Sequence, residues 1–157
     1  MVEFTGGKAL EAELSRIQNQ LTSAESVQVG FLETARYDDG TSVALVALVN
    51  EFGHTRIHPN QPARPFFRNM FALESPHWGE DVAQALKALD YSAKGALGEM
   101  GMEIQAELQR SINELVSPPL SPVTIAKKGF DKPLIGGKTD KSPGGKMRDS
   151  VDFVVEE

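Results

Sequence analysis

Leu10, Leu14, Ile17 and Leu21 recur at spacings of 4, 3 and 4, with Glu11, Glu13, Gln18 and Asn19 between them. That period predicts an amphipathic helix over about residues 8–22. The pattern then changes to period 2, Val27, Val29 and Phe31 alternating with Gln28, Gly30 and Leu32, which predicts a strand over about residues 26–33. Tyr37-Asp38-Asp39-Gly40 reads as a turn. The run VALVALV, Val43 to Val49, has no usable period of its own, and its flanks decide for it. Thr41 and Ser42 offer an N-cap hydroxyl, and Gly53 stands where a helix would end on a positive φ. A helix over residues 43–52 follows, with a strand as the alternative.

Pro59, Pro62 and Pro65 each push the preceding residue out of the α region, so the chain from His54 to Pro65 should cross in extended form. Pro65 suits the first residue of a helical turn, PFFRNMF. Ser75 and Pro76 repeat that arrangement, an N-cap followed by Pro at the first helical position, and predict the start of another helix. Its apolar face runs through Trp78, Val82, Leu86, Leu89, Leu97, Ile104, Leu108, Ile112 and Leu115, a single helix over residues 76–116. Gly95, Gly98 and Gly101 would permit a bend or the close approach of a neighbour, each at about 1 kcal/mol relative to Ala. SPPLSP ends the helix, Thr124 to Lys127 suits one helical turn, and a loop runs to about Met147. In SVDFVVEE, Val151, Phe153 and Val155 alternate with more polar positions and predict a second strand over about residues 149–156. The expected class is α+β: a small antiparallel sheet, with room for a third strand, packed against the N-terminal helix and a long, bendable helix.

A length of 157 residues fits one domain with its own core. With no cysteine, disulfides, thiolate metal clusters and cysteine nucleophiles are excluded. The N-terminal sequence lacks a basic segment followed by an apolar run, and no window approaches 18 apolar residues, so the expectation is a protein of the cytoplasm at synthesis with no membrane partner. A net charge of −6 repels polyanions overall. The distribution is uneven, because residues 126–148 carry seven cations (Lys127, Lys128, Lys132, Lys138, Lys141, Lys146 and Arg148) against Asp131 and Asp140. Such a Gly-, Lys- and Pro-rich segment reads first as a solvated loop, and second as a partner-contacting or nucleic-acid-contacting one.

The densest chemistry lies in NEFGHTRIHPNQPARPFFRNMF, residues 50–71. His54 and His58 are four apart, as in a zinc-protease helix, but Thr55 stands where the general base would be and Gly53 and Pro59 break the helix. No G-x-S-x-G elbow and no complete phosphate-binding Gly loop occurs, IGGKTDKSPGGK having the residues without the spacing. Neither catalysis nor a cofactor or metal is indicated. Arginine among aromatics is the composition of a protein interface, or of a single-stranded nucleic-acid platform that the acidic bulk disfavours. Phe66, Phe67 and Phe71 cannot all face one core from one short helix, which leaves apolar surface for a partner.

Three motifs in order, NEFG (50–53), PARPFFR (62–68) and PPLSPVTIAKKG with KPLI (118–135), resemble the tail-component, or neck and tail-completion, family of tailed bacteriophages over about residues 26–155. The chain departs from the family pattern after Ile135, where GGKTDKSPGGK replaces a short Asp-Thr-Gly turn. The resemblance implies a non-catalytic virion protein, made in the bacterial host cytoplasm and placed at the head-tail junction. It also implies a homo-oligomeric ring, contacts with a tail terminator, tail tube or head-tail connector, and DNA only as passing cargo. The interface expected on this reading comprises Glu51, Phe52, Gly53, Pro62, Arg64, Pro65, Phe66, Phe67 and Arg68, with Arg64 and Arg68 pairing with carboxylates within or between subunits. The alternative is a nucleic-acid-associated accessory protein using the basic loop; a metallohydrolase is a distant third.

Overall fold

The computed structural model describes residues 6–32, 34–54, 61–136 and 145–157. The elements run α1 (Gly7–Leu21), β1 (Ser26–Phe31), α2 (Val43–Phe52), α3 (Phe66–Ala88), α4 (Ala93–Glu114), α5 (Pro122–Lys128), α6 (Lys146–Asp149) and β2 (Val151–Glu156). The fold is α+β, with one antiparallel sheet of two strands among the described residues. Val27 faces Val155, Val29 faces Phe153 and Phe31 faces Val151, so the apolar positions of both strands share one side of the sheet. That side packs on α4.

Gly101 makes the packing close. A Cβ at this position would lie 2.7 Å from Cγ of Phe153, so the bare helix backbone is what admits the ring. Of the three glycines noted in the sequence, Gly98 has no neighbour near its missing Cβ and Gly95 sits only beside Leu89 and Ser92. Gln105 of α4 ties the sheet further, its amide donating to the Val151 carbonyl at 2.6 Å.

The core gathers Val43 and Ala47 of α2, Phe66 and Met70 of α3, and Leu108 and Ile112 of α4. Leu134, Met147 and Val151 close it from the C-terminal part of the chain. Helix α2 has the bounds expected from its flanks, Ser42 accepting from the Leu45 N–H and Gly53 leaving at φ 72°. Ser121 caps α5 and Gly129 ends it in the left-handed region, giving seven residues where one turn was expected. Residues 146–149 form a helical turn rather than loop and strand.

Three expectations need correction. The helix over residues 76–116 is two helices: Asp90 and Tyr91 take φ values of 55° and 64°, and Ser92 restarts the chain by accepting from the Gly95 N–H. Nothing in residues 89–92 is Gly or Pro, so the apolar period passes over the turn unbroken. Second, Ser75 and Pro76 do not begin a helix, since α3 runs through them from Phe66. Pro76 has no N–H for the Ala72 carbonyl, a defect of about 3 kcal/mol in an isolated helix. Packing outweighs it: α3 lies along α4, and Trp78, two residues on, donates to Glu107 at 3.1 Å. Third, the sheet rests on α4 and not on α1. Helix α1 meets the start of α4, where Ser23 Oγ accepts from the Lys94 N–H at 3.1 Å and Arg16 pairs with Asp90 at 2.9 Å.

Candidate functional site

The junction of α2 and α3 brings NEFG and PARPFFR together. Glu51, in the last turn of α2, is only 6% exposed. Its carboxylate accepts from the backbone N–H of Phe67 at 2.9 Å and of Arg68 at 3.2 Å. The remaining free donor of the first turn of α3, the Phe66 N–H, is bonded to the Arg64 carbonyl at 2.8 Å, and the helical ladder proper begins with Asn69 N–H to the Pro65 carbonyl at 3.0 Å. Glu51 is thus a helix cap supplied from another helix, placing a negative charge at the positive end of the α3 dipole.

The same carboxylate holds Arg68. Nε donates to it at 2.7 Å, and Nη2 donates to the Glu51 carbonyl at 3.0 Å. The guanidinium also lies over the Phe52 ring, 4.9 Å from its centroid. Gly53 then turns the chain where no side chain fits: a Cβ would meet the Ala63 nitrogen at 2.7 Å and the Gln61 carbonyl at 2.9 Å. His54 N–H donates to the Gln61 carbonyl at 3.1 Å, and Arg64 N–H to the Asn50 carbonyl at 2.7 Å, so both ends of the connection are fastened to the end of α2. Residues 55–60, which include His58 and Pro59, lie outside the described residues.

Among the expected interface residues, the structure separates two groups. Phe66 is 1% exposed and stacks edge-on against Phe31 at 6.2 Å, which corrects its assignment as a surface anchor: it is a core residue. Arg64, 8% exposed, is likewise buried, and its Nε has no hydrogen-bond acceptor; the expected carboxylate partner is absent among the described residues. Burial pushes its pKa below the usual arginine value. Phe52, Pro62 and Arg68 are exposed, while Phe67 and Pro65 are half-buried. Phe52 and Phe67, with Phe31, Ala44, Ala47, Leu48 and the edge of Phe66, line an open apolar groove of about 240 Å³ whose polar members are Glu51 and Arg68.

The basic segment is less uniform than its composition suggests. Lys128 donates to the Lys132 and Pro133 carbonyls and lies over Phe130, a structural position; burial, then the nearby Arg64 charge, lower its pKa. Lys127, Lys132 and Lys146 are exposed, and Lys138 and Lys141 fall outside the described residues.

Two features had escaped the sequence. Leu45 and Leu48 stand exposed beside Phe52 on α2, hidden in a run that is apolar on every side. Glu107 is nearly buried on α4 under Trp78; burial raises its pKa, opposed by the Trp78 N–H bond and reinforced by Glu74 and Glu103. Among the described residues no helix is long and apolar enough to cross a membrane. No protein-family model, curated protein or solved structure matches the chain.

Proposed function

We propose that this chain is a structural virion protein of a tailed bacteriophage or prophage, acting without catalysis in tail completion and head-tail joining at the neck. The observation that carries the reading is the union of its two sequence motifs in one fixed surface: Glu51 of NEFG caps and ion-pairs the Arg68 end of PARPFFR, and an apolar groove opens beside them. A rigid apolar patch with an oriented arginine suits protein docking, because little side-chain freedom is left to lose on binding. An acidic subunit also suits a passage through which DNA slides, since a net charge of −6 gives phosphates little to hold.

The test is complementation of a phage or prophage deleted for this gene with Phe52→Ala and Phe67→Ala variants, counting joined particles, free heads and free tails by electron microscopy. Loss of joining with both components intact supports the reading. Normal joining in both variants refutes the groove as the docking surface. The competing nucleic-acid reading rests on the local excess of cations in residues 126–148. It requires DNA affinity that falls steeply with salt, which the neck reading does not.

A further inference from the structure

Among the described residues, Nε of Arg64 is the buried side-chain polar atom left without a hydrogen-bond partner. The residue is 8% exposed, and its backbone is fixed on both sides: the N–H donates to the Asn50 carbonyl at 2.7 Å and the carbonyl accepts from the Phe66 N–H at 2.8 Å. A guanidinium cannot shed its proton to escape the cost of burial, so an uncompensated one calls for an anion. What the fold brings near it is a second cation. Lys128 lies close enough for the Arg64 charge to add to the effect of burial in lowering its pKa. The Lys128 ammonium gives two of its three donors to the Lys132 and Pro133 carbonyls, which leaves one free.

Lys128 also lines a cavity of about 170 Å³ between the end of α2 and the C-terminal part of the chain. Tyr37, Lys146 of α6 and Asn50, the residue whose carbonyl holds Arg64, share its wall, and no described carboxylate lines it. Asp39, whose charge Tyr37 feels, is exposed and bonded to the Thr41 N–H at 2.9 Å. Two lysines on the wall of one small cavity, with a buried and unpaired arginine adjoining them, make the donor set of an oxyanion site. We infer that this cavity binds a small oxyanion of the phosphate class, Lys128 and Lys146 donating to it and its charge offsetting that of Arg64. The inference is independent of the virion location.

Calorimetric titration of the full chain with inorganic phosphate, at fixed ionic strength in chloride, should give a saturable heat. Arg64→Met and Lys146→Ala should each weaken the affinity, the first by roughly tenfold or more. Lys146 is exposed, so its variant keeps the test decisive if Arg64→Met fails to fold. Melting gives a second readout. In chloride Arg64→Met should melt above the wild-type chain, because it removes an unpaired buried charge, and saturating phosphate should shrink or reverse that margin. A margin identical in both salts, an affinity unchanged in both variants, or a wild-type chain that gives no phosphate heat overturns the inference. Competition by a 5′-phosphorylated single-stranded oligonucleotide, and not by its unphosphorylated form, assigns the phosphate to a nucleic-acid end, and no competition by either assigns it to the free ion. Equal competition by both places the binding on the strand and overturns the cavity as the site.

Discussion

Replacing Glu51 by Ala removes one carboxylate and strands three donors: the backbone N–H groups of Phe67 and Arg68 and the Arg68 side chain. Each backbone N–H left without a partner costs about 1–3 kcal/mol when buried. The junction opens onto a groove, so water reaches part of it, and the lower half of that range applies to each; the expected loss is about 3 kcal/mol. Arg68→Ala is the control. Its side chain is 56% exposed and leaves Glu51 still bonded to two backbone donors, so after screening the loss is about 1 kcal/mol. Urea unfolding followed by the fluorescence of Trp78, the single tryptophan, with far-ultraviolet circular dichroism as a second probe, measures both. A Glu51→Ala loss below about 1 kcal/mol, or no larger than that of Arg68→Ala, would refute the capping argument.

Other consequences follow from glycine and from burial. Gly101→Ala drives a methyl into Phe153 and should lower stability, whereas Gly98→Ala, with open space at its Cβ, should raise it by about 0.5–1 kcal/mol; thermal melts of the pair decide. Gly53→Ala meets backbone atoms on top of a φ of 72° and should cost at least about 2 kcal/mol in the same assay. Glu107 has a folded pKa raised above its unfolded one, so the folded state binds the proton more tightly and stability falls as pH rises from the unfolded through the folded value. Glu107→Gln, which keeps an acceptor for the Trp78 N–H, should therefore raise the melting temperature at neutral pH and lose that advantage in acid, as melts across pH will record.

The strengths and failures of the sequence reading have local causes. Helix α2 is legible to the residue because the Ser42 hydroxyl caps its start and Gly53 ends it on a positive φ. Both strands are legible because one face of each is buried on α4 and the other is not. The turn at Asp90 and Tyr91 is hidden because two residues without glycine's freedom take positive φ there, held by bonds such as Tyr91 N–H to the Leu86 carbonyl at 2.7 Å. Pro76 misleads because its local preference for a helix start yields to the packing of α3 on α4. At the candidate site, composition marks a segment but cannot sort its residues. Phe66 and Phe67 are adjacent and chemically identical, and only the direction each takes from α3 makes one a core residue and the other part of the groove. The Arg68 carboxylate partner proves to be Glu51 of the same chain, an assignment that requires knowing how α2 meets α3.

The most direct test of the neck assignment is to purify intact particles from a culture carrying an epitope-tagged copy of the gene and locate the tag by gold labelling in the electron microscope. Label confined to the junction between head and tail, in particles that also contain the chain by mass spectrometry, is the predicted result. Particles that join normally, infect and contain none of it would contradict the account.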